Sequence, residues 1–152
     1  MWKICSEGQV WTGYTCSGEA SKMSWNQAMP NGNQKSWPIF AGYNNWRLPD
    51  KKQLRTLVWC SNKVSQKDAW RKSCNGKGVH IKYDGTYQRP TIDIRVFPNT
   101  PTEGFWTSSA YRVDLADAWA VGFDHGYAGW HGRSRHGRVR LVRTDTTVDS
   151  DQ

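Results

Sequence analysis

An α+β fold with one late antiparallel sheet is what this 152-residue sequence predicts, on three observations. Strand-like segments cluster after residue 103, two capped helix starts lie in the first half, and the four cysteines fall as two local pairs. The length suits a single domain with a core of its own. Ten Trp, six Tyr and four Phe, set against a mean hydropathy of −0.80, make that core aromatic and the remainder rich in loops.

Residues 1–20 read as a short strand or hairpin, with KICSEGQVW and TGYTCSG flanking a turn closed by Gly13 and Gly18. SKMSWNQAM then predicts a helix capped by Ser21, carrying Met23, Trp25 and Met29 and stopped by Pro30 and Gly32. A second helix follows in DKKQLRTLVWCS. Pro49 pre-orders its start, Asp50 accepts from free first-turn amides, and Leu54, Leu57, Val58 and Trp59 share a face. Arg47, just before it, is a candidate partner for Asp93 or another carboxylate. Residues 61–90 are a polar excursion rich in Lys and Gly.

TIDIRVF alternates Ile92, Ile94 and Val96 with polar residues, a strand in competition with an irregular loop. GFWTSSAY, DAWAVGFD and GRVRLVR are the remaining strand candidates. Period two assigns Trp119, Val121 and Phe123 to the core and turns Ala120, Gly122 and Asp124 the other way. Trp46, Leu57, Trp106, Trp119, Phe123 and Leu141 are the expected core anchors. The domain is expected to span 1–143, with 144–152 a disordered acidic tail.

Cys5 with Cys16 and Cys60 with Cys74 each bracket a short polar segment, so two local disulfides are the simplest pairing. Four cysteines allow three connectivities, and zinc is the competing use, although no two of them show the close spacing of a zinc knuckle. Bridges imply an oxidising compartment. No stretch nears the roughly 20 apolar residues that cross a bilayer. Met1 is followed by WKICSEG rather than by a signal-peptide pattern, so export is expected to rely on an upstream region or on assembly into a particle.

A net charge of +8 and a pI near 9.5 favour polyanionic partners: nucleic acid, sulfated glycans or anionic cell surfaces. Lys51, Lys52, Lys63, Lys67, Arg71 and Lys72 form one basic stretch, which reads equally as a solvated face. Residues 105–143 are more informative, because they lack Lys, Asn, Gln and Glu altogether; the last Lys is Lys82 and the last Asn is Asn99. Within them Asp124, His125, Tyr127, Trp130, His131, Arg133, Arg135, His136 and Arg138, on a glycine-punctuated run, read as a recognition surface. Arg, Tyr and Trp are frequent binding hot spots, and Arg grips carboxylate, sulfate or phosphate with two donors.

Nucleic acid is the weaker partner, since no recognition-helix, zinc-finger or RNA-binding aromatic signature accompanies the charge. Metal chemistry is disfavoured too, because arginines surround His125, His131 and His136 and their Gly-rich spacing fixes no ligand geometry. No nucleophile-elbow pattern supports a triad from Ser108 or Ser109 with Asp114. The reading is therefore non-enzymatic, without cofactor.

CSEGQVWTGYTCSG, FAGYNNWRLPDKKQLRTLV, TIDIRVFPNTPTEGFWTSS and AWAVGFDHG ahead of GRVRLVR resemble, in that order, the collagen-like adhesin C-terminal domain family. The resemblance covers nearly the whole chain and implies a C-type-lectin-like fold related to formylglycine-generating-enzyme-like domains: a small twisted antiparallel sheet, two flanking helices and long loops. It implies extracellular or cell-surface binding, in the adhesin case to sulfated glycans, with a cell-surface glycan or protein receptor as partner and a homo-oligomer as a compatible assembly. The late cysteines of the formylglycine-generating relatives are missing, and so are calcium-lectin signatures. Members of this fold family also serve as variable proteins of diversity-generating retroelements, phage-borne ones included, in which Asn codons become codons for Ala, Gly, Asp, His, Tyr, Ser or Arg. Ala120, Gly122, Asp124, His125, Tyr127, Gly129, His131, Arg133, Arg135, His136 and Arg138 fit that set, and together with Trp130 they form the expected ligand-binding surface.

Overall fold

A computed structural model describes residues 1–64, 73–76 and 83–145. Lys67, Arg71 and Lys72 of the basic stretch, and the acidic tail beyond Asp145, lie outside the described residues. The chain opens with a small hairpin, β1 (Val10–Trp11) paired antiparallel with β2 (Cys16–Ser17). Cys5 bridges to Cys16 and Cys60 to Cys74, as the local spacing suggested.

Helix α1 covers only Trp25–Ala28, and its cap is Ser24 rather than Ser21. Ser24 and Gln27 form a reciprocal capping box, which satisfies two first-turn amides and fixes the start three residues later than the sequence suggested. Met23 is thereby left extended, paired with Gly137. Helix α2 (Lys51–Arg55) starts where expected, with Asp50 and Gln53 in the same kind of box. It buries Leu54, with Val58 just beyond, whereas Leu57 is half-buried and Trp59 exposed.

The main sheet is β3 (Gly104–Ala110), β4 (Asp117–Gly122) and β5 (Tyr127–Gly132), antiparallel in that order. One open choice closes here and one expectation fails. TIDIRVF is no strand: after Ile92, which bridges to Val58, the chain turns on the Asp93 side chain and leaves Ile94 and Val96 exposed. The third strand is Tyr127–Gly132, inside the glycine-punctuated run, while GRVRLVR makes only isolated bridges, to Trp2, Met23, Arg47 and Phe105. That closing segment lies against the chain start, where Met1 N donates to Arg143 O at 2.7 Å and Lys3 N to Leu141 O at 3.0 Å.

Both sheet faces are covered, which is why single-face alternation misassigns β4. Ala118 and Ala120, with Trp106, pack against Trp25, Trp37, Trp46, Leu48, Val139 and Leu141. Phe105, Val121 and Ala128 face the other way, onto Leu54, Val58, Ile92, Phe97 and Phe123. Ala120, expected to point outward, is buried at 4% exposure, whereas Trp119, expected in the core, lies half-buried outside both clusters. Arg140 is fully buried and holds the chain start in place by donating to the carbonyls of Lys3 and Ile4 and the hydroxyls of Ser6 and Thr100. Burial pushes its pKa down to about 9, still charged at neutral pH. Arg47 finds no carboxylate among the described residues: it donates to Gln53 Oε1 and Thr144 Oγ1, and Asp93 pairs with Arg95 instead.

Candidate functional site

Strands β4 and β5 pair from Asp117↔Gly132 to Gly122↔Tyr127, and the turn between them is pinned. Gly126 closes it at φ +73°, where a Cβ would lie 2.6 Å from Val58 Cγ1. His125 is tied into that end of the molecule, its carbonyl accepting from Cys74 N at 2.7 Å and its Nδ1 2.5 Å from Tyr87 Oη. Desolvation raises the Tyr87 pKa. Asp124 bends back to accept from His125 N. Asp124, His125 and Gly122 therefore stand at the turn, where the His125 carbonyl also holds Cys74.

Beyond the turn, β5 is an edge strand, and residues along it line one cavity of about 510 Å³ with Asp117 and Arg135: Tyr127, Gly129, Trp130, His131 and Gly132. A smaller cavity of about 190 Å³ adjoins it through the shared His131 and Arg135 and adds Trp106, His136 and Gly137, with Ala120 in its wall. The Tyr127 ring lies over Gly129, so close that a Cβ there would meet it at 3.2 Å. Gly137 fits edge-on to Trp106, where a Cβ would come within 2.8 Å of Nε1; the backbone pairing of Met23 and Gly137 sets that approach. His131 is held below the usual histidine range, first by desolvation and then by Arg135, with Asp117 and Asp124 opposing.

The cationic residues divide into two sets. Arg135 and His136 are exposed and line these cavities. Arg133 is half-committed to structure, its guanidinium 4.3 Å from the Trp25 ring and its Nε donating to Asp117 O. Arg138, expected on the surface, is 4% exposed, pairs with Glu103 at 2.5 Å and donates to Ala20 O. It ties the residues before β3 to the segment after β2. The structure thus brings together Tyr127, Gly129, Trp130, His131, Arg135 and His136 of the expected surface, with Gly122 paired to Tyr127 and Asp124 acting on His131 from the turn, whereas His125 and Arg138 are engaged elsewhere.

Sequence reasoning missed Asp117, whose place opposite Gly132 depends on the pairing of β4 with β5. It also missed an aromatic trio beside the site. Tyr111 and Trp130 stack at 4.7 Å and 7°, and Trp119 stands edge-on to both at 5.5 and 5.6 Å. Trp130 is 48% exposed. Among the described residues no group of three or more His, Cys, Asp or Glu is placed to hold a metal ion, and no helix is long and apolar enough to cross a membrane.

The family model for the Lcl C-terminal domain matches residues 1–143, from the Met1–Arg143 pairing at one end of the molecule through every strand of the sheet. The chain belongs to the Lcl C-terminal domain family. Membership agrees with the collagen-like adhesin resemblance and makes this an adhesin-associated extracellular domain, in keeping with its two disulfides. No curated protein and no solved structure matches the chain significantly. For this Lcl C-terminal domain, then, the ligand is argued from the site itself.

Proposed function

We propose that this Lcl C-terminal domain is a non-catalytic recognition module of C-type-lectin-like architecture that binds an anionic, sulfated glycan of a cell surface along the β5 edge. One observation carries the reading. Arg135 and His131 line two adjoining cavities at an open strand edge, and Arg135 has no carboxylate partner among the described residues. An unpaired guanidinium beside an exposed Trp offers a sulfate two donors and a sugar ring an apolar wall. Asp117 and Tyr127 add an acceptor and a hydroxyl for sugar oxygens. Several copies in one assembly would add avidity to a shallow site.

The test replaces Arg135 and His136 together with Ala and leaves Arg133 and Arg138 in place, since those two also hold the fold. Binding to immobilised heparin and to whole cells is expected to fall at least tenfold with the melting temperature unchanged; undiminished binding removes the site from this edge.

Retroelement diversification is a second reading, favoured by the residue types at the outward positions Tyr127, Gly129, His131, Arg133, Ser134, Arg135 and His136, all within the set that mutagenised Asn codons yield. The inward Arg138 and Ala120 lie on the frame and would be fixed by packing. A near-copy of these codons beside a reverse transcriptase gene would establish it, and its absence would remove it.

A further inference from the structure

A second cavity, of about 620 Å³, lies on the other side of the stacked Tyr111–Trp130 pair, lined by Lys51 at the start of α2, Ser108 and Ser109 of β3, Tyr111 and Arg112 of the following turn, and Trp119 of β4. The two rings divide the space between them: Trp130 lines the β5-edge cavity and Tyr111 this one. Lys51 Nζ sits 3.8 Å from the Trp119 ring centroid, so a positive charge lies directly against an aromatic wall.

The charge here is unopposed. Lys51, Lys52, Arg55 and Arg112 have no carboxylate within ion-pair distance among the described residues. Desolvation first, then Arg55 and Lys52, lower the pKa of Lys51, so the site is under an electrostatic load that an arriving anion relieves. Ser109 Oγ accepts from Lys51 N and so fixes the helix start against β3, which places Lys51 without depending on a ligand.

We infer that this cavity is a subsite for one hexuronate unit of an acidic oligosaccharide, its carboxylate taken by Lys51 and Arg112 and its ring lying on Tyr111. A carboxylate attached directly to a pyranose ring suits a site where cation and aromatic wall adjoin, whereas a sulfate ester carries its charge farther from the ring. The exposed Val113 at the rim meets the apolar face of the neighbouring unit. With the β5-edge cavity across the ring pair, the domain reads two units of one chain, and this inference rests on the glycan reading above.

Isothermal titration with an unsulfated tetrasaccharide of alternating glucuronate and N-acetylglucosamine tests it, with a neutral N-acetylglucosamine tetramer and a dT oligonucleotide as controls. Lys51→Met keeps the stem that covers Trp119, and Arg112 is exposed, so the Lys51→Met/Arg112→Ala protein is expected to fold and to bind the acidic tetrasaccharide at least tenfold more weakly, while Tyr111→Leu loses about threefold. Unchanged affinity in the double variant, no binding by the unaltered protein, or tighter binding of the dT oligonucleotide overturns the inference. Loss confined to the Arg135/His136 variant overturns it while sparing the β5-edge reading, and loss confined to the Lys51/Arg112 variant supports it, the β5 edge being tested separately with heparin.

Discussion

Arg138 shows why a residue type alone does not assign a role. In sequence it is one of three arginines in an exposed-looking run; in space its guanidinium is enclosed by Glu103, Glu19 and the Ala20 carbonyl, and its backbone pairs with Gly104 and Trp106. Removing it would leave a buried carbonyl without its donor and Glu103 with only the longer Lys22 pair, at a cost of about 2–3 kcal/mol for charge-assisted bonds. Arg138→Ala is therefore expected to lower the melting temperature by several degrees, whereas Arg135→Ala leaves it in place. Equal melting temperatures for the two variants would return Arg138 to the binding surface. The sequence held one hint of the difference: Arg138, Arg140 and the inward Val139 and Leu141 lie within a single compact segment, and Arg135 does not.

At the scale of elements, what was legible followed from local chemistry. Asp50 with Gln53 three residues on gives a helix start that needs no tertiary information, and the cysteine pairs close loops short enough to be read as pairs. The failures came from long-range pairing. Tyr127–Gly132 carries two glycines and looks like loop, yet Trp119↔Trp130 and Val121↔Ala128 make it a strand because β4 offers a ready edge. Its alternation of buried Ala128 with outward Tyr127 and Gly129 was hidden because small residues carry little hydropathy signal. The period-two reading of β4 failed for a related reason: a central strand covered on both faces buries Ala120 and Val121 alike. Of the two expected core anchors Trp106 and Trp119, only Trp106 is buried in the core. Trp106 is 2% exposed, with its indole N–H donating to Met23 O, so Trp106→Ala is expected to cost about 3–5 kcal/mol in chemical denaturation. Trp119→Ala removes edge contacts to two rings and the ring face under the Lys51 ammonium and is expected to cost about 1–2 kcal/mol. A larger loss for Trp119→Ala would restore it to the core.

For the molecule as a whole, a net charge of +8 sets a positive field that draws an anionic chain towards any face, and the cavities beside β5 decide where it stays. The long-range part is screened over about 10 Å at 0.1 M salt, so affinity for heparin is expected to fall steadily as salt rises. Acidity acts through a nearer group. The folded His131 has a pKa below its ordinary value, so the free protein favours the neutral ring; the stability that gives is present above about pH 6.5 and is lost as pH falls through the lowered value. An anion bound beside Arg135 reverses the balance, because it favours the imidazolium that desolvation and Arg135 oppose. Binding then takes up a proton, and affinity for heparin is expected to rise as pH falls from 7.5 to 5.5. Asp117 and Asp124, the other charges that act on the ring, already favour the protonated form and so oppose the shift without cancelling it. Titration of the unaltered protein and of His131→Asn at both pH values and at fixed salt checks this: the increment should vanish in the variant, and an increment that survives would assign the proton to another group.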